Sequence, residues 1–278
     1  MSPNNLLDAP KKQRPLTPLQ ERFLKSGLEG FNDEEIIELF LSLCVPRHQY
    51  KKLTERYIEQ FKNLRGFLTA SPEELERAGV ALHVIFCIKL LHELPVEILK
   101  QKIVDRSIYT SAKEVVDYLS YSMRDLKKEV FKVIYLNNRS QIIDTEDLFE
   151  GTLEDIPIRP REIVESAIRY KATALIFAHN HPSGDPTPSK SDKQMTRDLV
   201  FIGMVLQIKV LDHIIIGENT YFSFADDGLI QKYEDNFLNL KIRGVFDVGV
   251  SYARKLPAVF VPLLPSINLI EETVVKFL

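Results

Sequence analysis

The spacing of apolar residues divides the chain into a helical region and a region of mixed strands and helices. From Thr17 to about Leu94, apolar side chains recur every three or four positions, which predicts helices throughout. Ser71-Pro72-Glu73-Glu74 has the composition of a capping box with proline at the first helical position. A further helix is predicted over Val80–Leu94, and the pattern changes after Pro95. The first region is therefore predicted to be an all-helical bundle.

Short apolar runs alternate with amphipathic stretches after Pro95. The run ATALIFA suggests a strand that is buried on both faces. This order of elements predicts an α/β or α+β sheet domain over about residues 109–230. Strands are predicted at Val130–Leu136, Gln141–Asp144 with a continuation around Asp147–Leu153, Ala172–Ala178 and Lys209–Gly217, and helices at Ser111–Arg124 (with Ser111 as N-cap), Arg161–Lys171 and Ser189–Leu206.

The predicted organisation has four parts. They are a polar tail (1–16), a helical domain (17–108), the sheet domain (109–230) and a C-terminal extension of unknown role (231–278). The extension carries an apolar patch, Val259–Leu264, which we expect to pack on the sheet because exposed apolar surface of that size is uncommon.

Composition excludes several classes of protein. The 36 basic and 39 acidic side chains give a net charge of −3, and 45% of residues are apolar. These values exclude wholesale disorder and argue against a strongly basic nucleic-acid binder. Cys44 and Cys87 are too few for a disulfide framework or a zinc ribbon. The sequence lacks a signal-peptide core and a membrane-spanning apolar run, so a cytoplasmic protein is expected.

The segment from His179 to Asp192 carries the candidate chemistry. His179 and His181 lie two residues apart at the end of a predicted strand, so their imidazoles point to the same side. The loop to Asp192 contains three prolines that stiffen it and Gly184, which permits a turn with positive φ. Two imidazoles and one carboxylate leave the fourth position of a tetrahedral Zn²⁺ open for water, which is typical of a catalytic zinc site.

Each part of this pattern also has a simpler explanation. Ser189 and Asp192 have the spacing of a capping box, so the start of a helix alone would account for both. The two explanations are compatible, because capping would orient both side chains towards a metal. His213 lies in an apolar strand and is expected to be a hydrogen-bonded core histidine. A role as a partner of the ligands, or as a third imidazole near the site, is the alternative.

The string HNHPSGDPTPSKSD resembles the metal motif of the JAMM (MPN+/JAB) domain, in the version found in the bacterial RadC family. The flanking segments Gly151–Leu153, Pro160–Ile163 and Leu211–Gly217 resemble that family too. The resemblance implies an α+β protein with an N-terminal helical, helix-hairpin-helix-like domain. An α/β JAMM/MPN-type sheet domain of cytidine-deaminase-like architecture and a C-terminal extension would follow it.

The resemblance also implies a function. It places Zn²⁺ on His179, His181 and Asp192, with Ser189 helping to hold a tetrahedral oxyanion. The family uses a glutamate as general base at the start of a strand that follows a helix, which selects Glu129. Glu162 and Glu146 are the alternatives for this base. The implied activity is a zinc-dependent hydrolysis of peptide or isopeptide bonds in a peptide or protein substrate that the sequence does not identify.

Two other functions remain as alternatives. The family's historical DNA-repair label suggests a DNA-associated accessory protein whose zinc site is structural or vestigial. A helix-hairpin-helix would grip the DNA backbone through a Gly-hydrophobic-Gly turn, but Ala78-Gly79-Val80-Ala81 lacks the second glycine. Lys51, Lys52 and Arg56 form only a modest basic patch, so the sequence does not favour DNA as a partner. A protein-interaction scaffold is the third function, and the intact ligand set argues against it.

Overall fold

The computed structural model of the protein describes residues 15–151 and 158–242. The chain divides into two compact units at Leu94/Pro95. The helices are α1 (Pro18–Ser26), α2 (Asp33–Cys44), α3 (Arg47–Phe61), α4 (Leu64–Leu68), α5 (Pro72–Arg77), α6 (Leu82–Ile103), α7 (Ile108–Met123), α8 (Pro160–Arg169), α9 (Lys190–Leu206) and α10 (Leu229–Ile242). The strands are β1 (Glu129–Leu136), β2 (Ile142–Gly151), β3 (Ala174–Asn180), β4 (Lys209–Ile216) and β5 (Tyr221–Ser223).

Side-chain caps start several helices of the N-terminal unit. Thr17, Asn32 and Ser71 each accept a hydrogen bond from the third helical amide, and each forms a reciprocal capping box. The apolar faces of α2 to α6 then meet in a single core. Its members include Ile37, Leu41, Tyr57, Phe67, Leu75 and Val84. The predicted helical region is therefore confirmed, while its description as helix-hairpin-helix-like stays a prediction.

Two predicted helix boundaries are wrong. The helix predicted to end at Leu94 continues through Pro95 to Ile103 in α6. Proline removes one hydrogen bond, but Val96, Leu99 and Ile103 pack on the core of the C-terminal unit and hold the following turns helical. Helix α7 begins at Ile108, so the N-cap position falls at Ser107 and not at Ser111, the fourth residue of the helix.

The C-terminal unit is built on a five-stranded mixed sheet in the order β2-β1-β3-β4-β5. Strand β1 is antiparallel to both β2 and β3, β3 is parallel to β4, and β5 returns antiparallel to β4. The two segments predicted around 141–144 and 147–153 form one strand, β2, as far as Gly151. Residues 152–153 lie outside the described residues, as do 1–14 and the patch Val259–Leu264. This mixed sheet with helices confirms the α+β class, and the cytidine-deaminase-like description stays a prediction.

Helices cover both faces of this sheet. Helix α7 and the end of α6 pack on one face, and α8, α9 and α10 pack on the other. Helix α10 contributes Ile230, Tyr233 and Phe237, all buried, so the predicted boundary at residue 230 falls inside a helix packed on the sheet unit. The candidate site lies on the second face, where the end of β3 meets the start of α9.

None of the helices in the two described ranges has both the length and the apolar character that a bilayer-spanning helix needs.

Candidate metal centre

The structure brings together the three side chains that the sequence proposed as metal ligands. His179 and His181 stand at the end of β3, and Asp192 lies in the first turn of α9. Their ligand atoms all lie within 4.8 Å of one another. His179 Nε2 is 3.0 Å from His181 Nε2 and 3.4 Å from Asp192 Oδ1, while His181 Nε2 is 3.5 Å from Asp192 Oδ2.

The loop after β3 fixes the orientation of His181. Its Nδ1 lies 2.7 Å from the backbone carbonyl of Asp185, which only accepts, so in the neutral ring the hydrogen is on Nδ1 and Nε2 carries a lone pair. Gly184 has φ +84°, as expected for the predicted turn. The loop packs closely on Gly217, where an added Cβ would lie 2.5 Å from the Gly184 carbonyl oxygen.

Asp192 is both a member of a helix capping box and a candidate metal ligand. It is the third residue of α9, and its Oδ2 accepts a hydrogen bond from the Ser189 amide at 2.7 Å. Ser189 Oγ in turn accepts from the Asp192 amide at 3.1 Å, which completes the capping box. Ser189 is exposed, and its hydroxyl hydrogen is not used in that bond. Asp192 Oδ1 is buried and has no hydrogen-bond partner, and it points towards His179.

His179 is buried between aromatic residues. Its ring lies nearly parallel to Phe131 of β1, with centroids 6.5 Å apart, and its Nδ1 is 2.8 Å from Nε2 of His213. His213 is fully buried and its Nδ1 is 2.6 Å from Thr196 Oγ1. His213 is therefore a hydrogen-bonded core histidine, as expected, and it also contacts a proposed ligand directly.

The electrostatics of the cluster favour a positive charge at its centre. Burial opposes ionisation of Asp192, but His181, His179 and the Ser189 amide outweigh it and hold the pKa of Asp192 well below its usual range. The hydrogen bond with Asp192 raises the pKa of His181, since the carboxylate stabilises the imidazolium. Burial lowers the pKa of His179 to about 4, which keeps this ring neutral near pH 7.

These residues fit a divalent metal ion. The lone pair of His181 Nε2, the Nε2 edge of His179 and the unsatisfied Asp192 Oδ1 converge. Two imidazole nitrogens and an ionised carboxylate oxygen that meet in this way favour a cation between them. Ligands bound tetrahedrally at zinc distances are about 3.3 Å apart. The separations of His179 Nε2 from its two neighbours, 3.0 and 3.4 Å, are close to that value.

The three candidate bases differ in their surroundings. In the β1–β3 register Phe131 pairs with His179, and Glu129 lies two residues earlier in β1, towards the end of the sheet where His181 follows β3. After the dominant effect of Asp192, the charge of Glu129 also contributes to the raised pKa of His181. Glu146 instead accepts hydrogen bonds from Ser166, Tyr135 and Arg169, in a polar network that joins β2 to β1 and α8. Its Oε2 is 2.6 Å from Ser166 Oγ. Glu162 is paired with Arg159 at 3.0 Å on the surface.

Two polar residues around the site, Thr196 and Asn180, were not assigned a role from sequence, and His213 was assigned one only in general terms. Thr196, on α9, contacts the backbone carbonyl of Asp192, and His213, on β4, contacts the ring of His179. Asn180, between the two histidines, points to the opposite face and is fully buried. Its Oδ1 accepts from the Val130 amide at 2.9 Å, and its Nδ2 donates to the Lys128 carbonyl at 3.0 Å. Asn180 therefore holds the chain on both sides of Glu129. The sequence shows that Asn180 stands between the two histidines. Its contacts depend on the pairing of β1 with β3, which the sequence does not reveal.

The fold and site define the class of protein. Residues 109–229 match the family model described as the RadC-like JAB domain. That range contains the five strands, α8, α9, all of α7 but its first residue, and the three residues of the candidate metal cluster.

Comparison with curated proteins extends the match into the helical unit. The UPF0758 protein of Pseudoalteromonas translucida is 35% identical over 226 residues, which cover 81% of this chain and 99% of that protein. The UPF0758 protein of Trichlorobacter lovleyi is 36% identical over 234 residues, 83% of this chain and 100% of the relative. The UPF0758 protein of Rhodobacter capsulatus is 34% identical over 213 residues, which cover 76% of this chain and 100% of that protein. The chain belongs to the RadC family.

Proposed function

We propose that the protein is a RadC-like, zinc-dependent metallohydrolase that cleaves peptide or isopeptide bonds. The observation that supports this most directly is the convergence of His179, His181 and Asp192 with a buried carboxylate oxygen that lacks a partner. Imidazole and carboxylate are zinc ligands, and a three-ligand set leaves a position for water, which is the arrangement of a catalytic site.

Zinc bound there would lower the pKa of a coordinated water towards about 7 and would polarise the scissile carbonyl. The chain's own residues then carry the proton transfers. Glu129, at the start of β1, accepts the proton from the attacking water and returns it to the leaving amine. It is partly buried at the first position of β1, and its charge acts on His181.

Ser189 supplies a donor for the charge that develops on the carbonyl oxygen. Its Oγ already accepts from the Asp192 amide, which fixes the hydroxyl at the N-terminus of α9 and leaves its hydrogen for donation. A donor held before the reaction stabilises an oxyanion without the cost of reorganisation. The helix N-terminus adds a partial positive charge in the same place.

Metal content tests the ligand assignment. Wild-type protein is expected to bind about one zinc per chain, and the double variant His179→Ala/His181→Ala is expected to lose it. His83→Ala, which removes an exposed histidine of α6, is the matched control and should keep the metal. Zinc retained by the double variant would show that the ligands are elsewhere.

Cleavage tests the reaction. Wild type and Glu129→Gln are incubated with a proteome-derived peptide mixture and with isopeptide-linked peptides, and new termini are identified by mass spectrometry. Glu129→Gln is expected to keep zinc and to lose about 10²–10⁴-fold in rate, since it retains shape but not basicity. Full activity in this variant would exclude Glu129 as the base, and no zinc-dependent cleavage by wild type would contradict the proposed function.

A further inference from the structure

His213 contacts Nδ1 of His179, on the side of the ring away from Nε2, and Thr196 contacts His213 in turn. His213 is on β4 and Thr196 is on α9, and both are fully buried. His213 lies among aromatic rings: it stacks on Phe224 with centroids 5.0 Å apart and meets Phe177 edge-on. A flipped His213 ring would present carbon atoms to both of its polar neighbours. The two polar contacts therefore fix the ring orientation, and their donor and acceptor roles decide where its hydrogen lies.

The hydrogen bonds that join these residues run in one direction. Thr196 Oγ1 lies 2.6 Å from the backbone carbonyl of Asp192, which only accepts, so the hydroxyl donates its single hydrogen there. The same oxygen lies 2.6 Å from His213 Nδ1 and must accept a hydrogen from it. Nε2 of the neutral His213 ring then has no hydrogen, and it accepts from His179 Nδ1 at 2.8 Å. The consequence is that His179 Nε2 carries a lone pair.

We propose that Thr196 and His213 are positioning residues that hold His179 in the tautomer able to bind a metal. The inference rests on the proposed function, because this tautomer matters only if His179 is a ligand. The other tautomer would place a hydrogen on Nε2, in the space between His181 and Asp192. Asp192 thereby acts twice: its carboxylate is one ligand, and its backbone carbonyl anchors the hydrogen-bond chain that prepares another.

The threonine offers a matched pair of variants. Thr196→Val keeps the shape of the side chain and removes the hydroxyl, whereas Thr196→Ser keeps the hydroxyl. Zinc affinity of the full chain is measured by competition with a chromogenic chelator at pH 7.5. Thr196→Val is expected to bind zinc about 10–100-fold more weakly than wild type, and Thr196→Ser to stay close to wild type. Equal affinity of Thr196→Val and wild type would overturn the proposal.

The tautomers themselves are measured by ¹⁵N NMR of the imidazoles in metal-free protein. Wild type is expected to carry hydrogen on Nδ1 of both His213 and His179. Hydrogen on Nε2 of His213 in wild type would overturn the proposal, and this result does not depend on whether any variant folds. His213→Gln, whose amide offers a donor and an acceptor, is expected to retain more zinc affinity than His213→Leu. Equal loss in these two variants would contradict a directional role.

These measurements separate this inference from the proposed function. Zinc affinity that depends on the Thr196 hydroxyl, in a protein that cleaves no peptide, would support the positioning role and reject the hydrolase. Zinc-dependent cleavage in a protein whose Thr196→Val variant binds zinc as wild type does would support the hydrolase and reject the positioning role.

Discussion

Asp212 provides a quantitative test of how burial acts near the site. It precedes His213 on β4, and its Oδ1 accepts from the amides of His213 and Ala225 at 2.7 and 2.9 Å. Its Oδ2 accepts from Ser223 Oγ at 2.7 Å. Burial raises the pKa of Asp212 from 3.8 to about 6, in spite of these three donors. Ionising this carboxyl in the folded protein is therefore more difficult than in the unfolded chain.

The size and sign of the effect follow from this shift. A change of one pKa unit corresponds to about 1.4 kcal/mol, so a shift of about two units corresponds to about 3 kcal/mol. Because the folded state holds the proton more tightly, this contribution to stability is fully present below about pH 4. It is lost as the pH rises through about 6, where the folded carboxyl ionises.

The assay compares wild type with Asp212→Asn. The amide keeps an oxygen for the two backbone donors and turns its Nδ2 to Ser223, whose hydroxyl can accept. Hydrogen exchange of β4 peptides, corrected for intrinsic rates, gives the free energy of opening of this unit from pH 4 to pH 7. Between pH 4 and pH 7, the free energy of opening of Asp212→Asn is expected to increase by about 3 kcal/mol relative to that of wild type. Asp117→Asn, an exposed change on α7, is the control.

A pH-independent difference between Asp212→Asn and wild type would refute the reasoning. A difference of the opposite sign, with the variant losing stability relative to wild type as the pH rises, would show that the three donors outweigh burial. In that case the pKa of Asp212 is lowered, and the carboxylate stabilises as an anion the segment at the end of β5 that it contacts.

Two further predictions concern the loops around the site. Asn180→Ala leaves the buried Val130 amide without its acceptor and is expected to lower the free energy of unfolding by about 2–4 kcal/mol, measured by urea denaturation. Unchanged stability would contradict the role of Asn180 in holding the chain on both sides of Glu129. Gly217→Ala places a Cβ 2.5 Å from the Gly184 carbonyl oxygen, so it is expected to displace the loop of His181 and to weaken zinc binding by about tenfold. Wild-type affinity in this variant would show that the loop yields without moving His181.

Local rules predicted most of the elements and the members of the candidate cluster. The period of two along β3 puts His179 and His181 on one side, and the capping box puts Asp192 in the first turn of α9. Both features depend only on residues close in sequence. Helix α6 shows where local rules fail: Pro95 is an unfavourable residue inside a helix, and the packing of later residues on the core outweighs it.

The residues around the ligands could not be predicted in the same way. His213 meets His179 because β4 pairs parallel to β3 with Phe177 opposite His213. Thr196 meets His213 because α9 packs on the same face. These contacts join residues 17 and 34 positions apart, and they depend on register and helix placement. Glu129 was selected from the family's fold alone; it does begin β1, as that fold implies, and its role as the base stays a prediction.

The double use of Asp192 affects how related sequences should be interpreted. A Ser-x-x-Asp pair at this position stabilises the start of α9 with or without a metal. A relative that has lost metal binding would therefore still be more stable with the aspartate than without it. The histidines also make structural contacts, His179 with His213 and His181 with the Asp185 carbonyl, but neither begins a helix as Asp192 does. When family members are sorted into those that retain the centre and those that have lost it, the two histidines are therefore more diagnostic than the acid.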